Sequence, residues 1–98
     1  MAEIYKVFMG KATQRWYALS QAERNALLEK VNAIREQVGG KTVIVCNSYW
    51  ASEQTQVFGV EVFPNMEATQ KHAELLSEID WPSYIESTTT LGTKSEMG

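Results

Sequence analysis

The chain holds one histidine, His72, and one cysteine, Cys46, so acid–base or nucleophilic chemistry has few groups to draw on. The spacing of Ala68, His72, Leu75 and Ile79 puts the imidazole on the apolar stripe of a helix, where a leucine would serve packing better. Histidine titrates near neutrality and can act as acid, base or ligand. Its plainer role is a half-buried ring bonded to backbone or to a neighbouring carboxylate. Glu61 interrupts the apolar run from Val57 to Phe63 and must find a partner or water, because an unpaired buried carboxylate is costly. Lys6, Lys41 and His72 are its candidate partners. Asn47 and Tyr49 alternate onto the same side of a strand pair as Glu61. With His72 above them they would give one base, two hydrogen-bonding groups and apolar walls, the usual composition of a small-molecule site. Contact with a partner subunit is an equal alternative for Asn47 and Tyr49. Arg15, Trp16, Tyr17 and Trp50 are candidate ligand-binding residues, although aromatic residues beside a helix start also staple it to a core.

These groups allow cofactor-free proton transfer on a small, largely apolar substrate. His72 would be base or acid, with Tyr49 and Asn47 holding a carbonyl or enolate oxygen. One histidine and one cysteine cannot build a structural zinc site, and the carboxylates lack metal-binding spacing, so no metal is expected. No phosphate loop, nucleophile elbow or dinucleotide fingerprint is present, and no cofactor is assigned.

The elements that must position these residues centre on Lys41–Phe63. Val43-Ile44-Val45 and Val57–Phe63 carry the β-branched and aromatic residues of two strands. A loop at Ala51-Ser52-Glu53 sets Trp50 against Gln54, and Ser48, Cys46, Ile44 and Thr42 against Gln56, Phe58, Val60 and Val62. That register sorts the apolar residues onto one face and sets Val43 beside Glu61, Val45 beside Gly59, Asn47 beside Val57 and Tyr49 beside Thr55. A slip of one residue would mix the faces. Upstream, Glu3–Met9 alternates as a first strand and Lys11–Leu19 reads as an aromatic loop. Ser20-Gln21-Ala22-Glu23 is a capping box that opens a helix with Leu27, Val31, Ile34 and Val38 on its inner stripe, stopped by Gly39-Gly40. Downstream, Asn65 caps the helix that carries His72, Asp80-Trp81-Pro82 ends it, and Tyr84–Leu91 is a fourth strand.

The order β-α-β-β-α-β is the ferredoxin-like α+β arrangement, a four-stranded antiparallel sheet with both helices on one face. Residues 1–91 form one domain and 92–98 a flexible tail. The other sheet face would expose more apolar surface than monomers tolerate, which predicts a homodimer closed through the sheet. A net charge of −3 with dispersed Lys and Arg argues against nucleic acid as a partner. The absence of a long apolar run argues against a membrane, and a lone cysteine suits a reducing, cytoplasmic compartment.

Element order, length and apolar sheet resemble the dimeric α+β-barrel superfamily, which includes antibiotic-biosynthesis monooxygenases, muconolactone isomerases, polyketide cyclases and haem-degrading enzymes. Trp16-Tyr17-Ala18-Leu19-Ser20 followed by Glu23-Arg24 is similar to a pattern in small uncharacterised bacterial members. The resemblance implies a ligand cavity between sheet and helices in each subunit. Haem degraders of the group place a histidine shortly after an asparagine and a tryptophan, whereas here Trp50 lies on the second strand and His72 far downstream. Three functions stay open: a cofactor-independent isomerase, lyase or monooxygenase-like enzyme, a non-catalytic dimeric binding module, and haem binding through His72.

Overall fold

The computed structural model describes residues 2–97. Strand β1 spans Ile4–Ala12, a short helix α1 Gln14–Tyr17, helix α2 Gln21–Gln37, strands β2 and β3 Lys41–Asn47 and Val57–Phe63, helix α3 Met66–Glu78, and strand β4 Ile85–Gly92. The sheet is antiparallel with order β2-β3-β1-β4, the ferredoxin-like topology. No helix among the described residues is long and apolar enough to cross a membrane.

Local chemistry accounts for the helix ends. Ser20 accepts from the Glu23 amide while the Glu23 carboxylate accepts from the Ser20 amide, completing the capping box. Gly39, at φ +80°, takes the left-handed position that ends α2. Asn65 Oδ1 accepts from the Ala68 amide at 2.8 Å and starts α3.

The register of the central pair matches the sequence expectation at Ile44 with Val60, Val45 with Gly59, Cys46 with Phe58 and Asn47 with Val57. Two corrections follow beyond that stretch. A bulge at Val43 pairs Thr42 with Glu61 and Lys41 with Val62, so Val43 does not stand beside Glu61, nor Thr42 beside Val62. The connection runs from Ser48 to Gln56 rather than over Ala51–Glu53 alone, so the pairs Trp50–Gln54 and Tyr49–Thr55 do not form in a ladder. Serine side chains hold this loop instead: Ser48 Oγ donates to the Thr55 carbonyl, and Ser52 Oγ accepts from the Gln54 and Thr55 amides. Lys11–Leu19 is likewise not a plain loop, since β1 continues to Ala12 and α1 follows. Tyr84 closes the 3-10 turn Trp81–Ser83, and β4 extends to Gly92, one residue into the segment assigned to the tail.

Strand alternation gives the two faces different neighbours. Phe8, Glu61, His72 and Leu76 meet between the sheet and helices α2 and α3. Val7, Met9, Ile44 and Phe58 alternate onto the opposite face, where no element covers them, and all four are exposed. Buried hydrocarbon side chains among the described residues are Ile34, Phe63 and Leu76, of which Phe63 alone is fully enclosed. Gly59 permits the close approach in the middle of the sheet. A Cβ there would stand 2.6 Å from the Ile44 carbonyl oxygen and 2.7 Å from the Phe8 ring.

Candidate functional site

The helices stand away from the sheet and leave a cavity of about 730 Å³, within the range of small-molecule sites. Its walls include Phe8 on β1, Leu28 and Val31 on α2, Leu76 on α3, and Trp81 and Ile85 at the far end. At the other end four side chains from four elements converge: Lys6 from β1, Arg35 from α2, Glu61 from β3 and His72 from α3.

The sheet register brings the first two charges together, because Lys6 and Glu61 are directly opposed across β1 and β3 on the helix-facing side. Glu61 is 8% exposed and its Oε2 lies 3.4 Å from Arg35 Nη1, while Arg35 Nη2 donates to Asn32 Oδ1 at 2.7 Å. The Glu61 carboxylate therefore has the partner that burial demands in Arg35 of α2, while Lys6 stands opposite on the neighbouring strand without an ion-pair contact.

His72 is 2% exposed, with its ring tilted against Phe63 at a centroid distance of 4.7 Å. Gly40 leaves room for that phenyl ring, which a Cβ would meet at 2.6 Å. Lys6 Nζ lies 3.5 Å from His72 Nδ1. An ammonium can only donate, so Nδ1 acts as acceptor and the ring proton is assigned to Nε2. Among the described residues Nε2 has no hydrogen-bond partner. Burial, reinforced by the positive charges of Lys6 and Arg35, pushes the His72 pKa from 6.5 down to about 4. The ring is thus a neutral imidazole at physiological pH, able to donate or accept a hydrogen bond but weak as a base. Burial also lowers the pKa of Lys6, against the opposing pull of Glu61.

The structure unites only some of the residues singled out from the sequence. His72 and Glu61 share the cavity, as their stripe and alternation imply. Asn47 and Tyr49 do not join them: both are exposed, beyond the cavity lining, because β2 ends at Asn47 and Tyr49 belongs to the long loop. Trp50 is exposed on that loop with Nε1 donating to the Asn47 carbonyl at 3.2 Å. Arg15, Trp16 and Tyr17 brace the outer end of the cavity without lining it. Trp16 packs edge-on against Trp81 at 6.2 Å. Arg15 donates to Asp80 and Ser83 and covers the Tyr84 ring, and the Tyr17 hydroxyl accepts from Gln56 Nε2 at 3.0 Å.

Lys6 was named above only as a partner for Glu61, and Arg35 was not singled out. Lys6 carried a readable signal, a cation between Ile4 and Phe8 on one side of a strand. Arg35 follows Val31 by one helical turn, at the flank of the apolar stripe, and little distinguishes it from a solvated arginine.

No group of three or more potential metal ligands gathers among the described residues. Haem fits the observed packing poorly. An axial bond would use Nε2, which is closed off from solvent, and Nδ1 already faces a cation.

No protein-family model matches the sequence, and no curated protein matches it. Among solved structures, two mutant chlorite dismutases from Candidatus Nitrospira defluvii are similar over 95% and 97% of this chain, with TM-scores of 0.72 and 0.73 and identities of 16% and 13%. This chain spans only 40% and 41% of those chains. The 30S ribosomal protein S6 from Thermotoga maritima is similar over 94% of this chain and 89% of its own, with a TM-score of 0.57 and 19% identity. Likeness at such identities is one of fold, and it agrees with the sheet order: the chain has the ferredoxin-like α+β fold.

Proposed function

We propose that this chain is a small-molecule-binding homodimer of the dimeric α+β-barrel type, with one ligand cavity per subunit between the sheet and helices α2 and α3. The observation that carries the reading is the cavity itself, largely apolar in its walls, with the charges of Lys6, Arg35 and Glu61 and the buried imidazole of His72 gathered at one end. Apolar walls with a few convergent polar groups are the usual make-up of a small-molecule site. The homodimer rests on the uncovered face carrying Val7, Met9, Ile44 and Phe58, which a second copy would bury by two-fold symmetry.

If the site is catalytic, the chemistry is cofactor-independent, of isomerase, lyase or monooxygenase-like form. His72 then acts by positioning Lys6 through Nδ1. Lys6, whose proton is loosened by burial, is the better candidate for proton exchange. Asn47 and Tyr49 lie too far along the hairpin for the oxygen-holding role.

Calorimetric titration with 1-decanol, a neutral amphiphile, tests the cavity directly. Saturable binding at one molecule per subunit is expected in the wild type, with loss in Val31→Phe, which fills the space beside α2. Binding that survives this substitution unchanged would place the ligand elsewhere and refute the reading.

A further inference from the structure

The charged end of the cavity contains more positive than negative groups. Lys6 and Arg35 face one carboxylate, Glu61, and the fourth group, His72, is neutral. Glu86 also reaches the rim, but it is exposed and is opposed in the β1–β4 register to Lys11. Glu61 satisfies one branch of the Arg35 guanidinium and Asn32 the other. Lys6 makes no ion pair within 4.0 Å among the described residues, only the 3.5 Å approach to the imidazole nitrogen. A half-buried ammonium whose compensation is limited to the more distant field of Glu61 is better satisfied when an anion completes it. Beyond this end the walls are mainly apolar, with Phe8, Leu28, Val31, Leu76, Trp81 and Ile85 outweighing Ser77, Ser87 and Thr89.

From this juxtaposition we propose that the cavity takes an amphipathic organic acid, its carboxylate held by Lys6 at the His72 end and its hydrocarbon body running between α2 and the sheet toward Trp81. The inference rests on the cavity being the binding site and adds the chemical class of its occupant. Lys6 supplies the charge and Arg35 keeps Glu61 occupied, so that Glu61 does not cancel Lys6 outright. The apolar walls reward a hydrocarbon body and leave a polar one, such as a sugar, unpaired.

Three probes of equal chain length separate the terms: decanoate, 1-decanol and decylamine, each titrated calorimetrically into the full chain near neutral pH. Decanoate should bind at least about tenfold more tightly than decanol, as a charge-assisted contact predicts. Decylamine should bind more weakly than decanol. Lys6→Met should abolish the preference for decanoate while leaving decanol binding in place. Glu61→Gln, which removes the competing carboxylate, should strengthen it. If the Gln variant does not fold, the wild-type and Met titrations still decide. Decanol binding as tightly as decanoate, or a preference that survives Lys6→Met, would overturn the assignment of an anionic ligand yet leave the cavity reading intact. Failure of all three probes to bind would overturn both.

Discussion

Acidification below neutrality should destabilise this protein through His72. The ring is almost fully buried and its pKa falls from 6.5 to about 4. In the unfolded chain it regains an ordinary affinity for protons, so between those two pH values the unfolded state binds more protons than the folded one. Stability therefore falls as pH falls through this window, is fully present above about pH 6.5, and loses nothing further from His72 below about pH 4. At about 1.4 kcal/mol per pH unit the whole difference amounts to about 3 kcal/mol, of which about 2.5 kcal/mol is lost by pH 4.5. For a domain of this size that is a large share of a total of roughly 5–15 kcal/mol.

Urea unfolding followed by circular dichroism, at fixed protein concentration and several pH values from about 7.5 to 4.5, measures the loss. His72→Leu keeps an apolar group against Phe63 and removes the titration. Glu23 and Asp80, whose pKa values are lowered by hydrogen bonds from Ser20 and from Arg15 respectively, lose their contribution as pH falls from the ordinary carboxylate range through those depressed values, equally in both proteins. The wild type should thus lose about 2.5 kcal/mol more than the leucine variant across that range. Parallel losses in the two proteins would refute the burial of a neutral ring.

Other perturbations have equally definite outcomes. Gly59→Ala forces a methyl group into the Ile44 carbonyl oxygen and the Phe8 ring, and should cost about 2 kcal/mol or more in chemical denaturation. Phe58→Lys, on the uncovered face, should turn a dimer into a monomer in sedimentation, and a wild type already monomeric at micromolar concentration would contradict the proposed assembly. Haemin titration should give no Soret band that disappears in His72→Ala, since Nε2 is closed off in the observed packing. A band with that dependence would revive the haem alternative.

What the sequence disclosed follows from how each signal is encoded. The inward placement of His72 and the pairing of Ile44 with Val60 come from periodicity, which side-chain burial enforces directly. The bulge at Val43 leaves no mark on that pattern. Thr42 and Val43 both suit a strand, and only the pairing of Thr42 with Glu61 shows where the extra residue goes. The hairpin connection outgrew its expected three residues because Ser48 and Ser52 bond the backbone locally and stop the ladder short of Tyr49. Helix α1 is held by Arg24, which donates to the carbonyls of Trp16 and Tyr17 from the next helix, a tertiary contact no local pattern announces. For the same reason the inward placement of His72 and Glu61 was legible while that of Arg35 was not: its contact depends on which strand residue lies beneath it.

The most direct test follows the two ring nitrogens of His72 by NMR as decanoate is added near neutral pH, an unambiguous signal because the chain has one histidine. A neutral ring protonated at Nε2, with both resonances shifting saturably, is the predicted result. A ring that titrates near 6.5 and is indifferent to decanoate would place His72 outside any binding cavity.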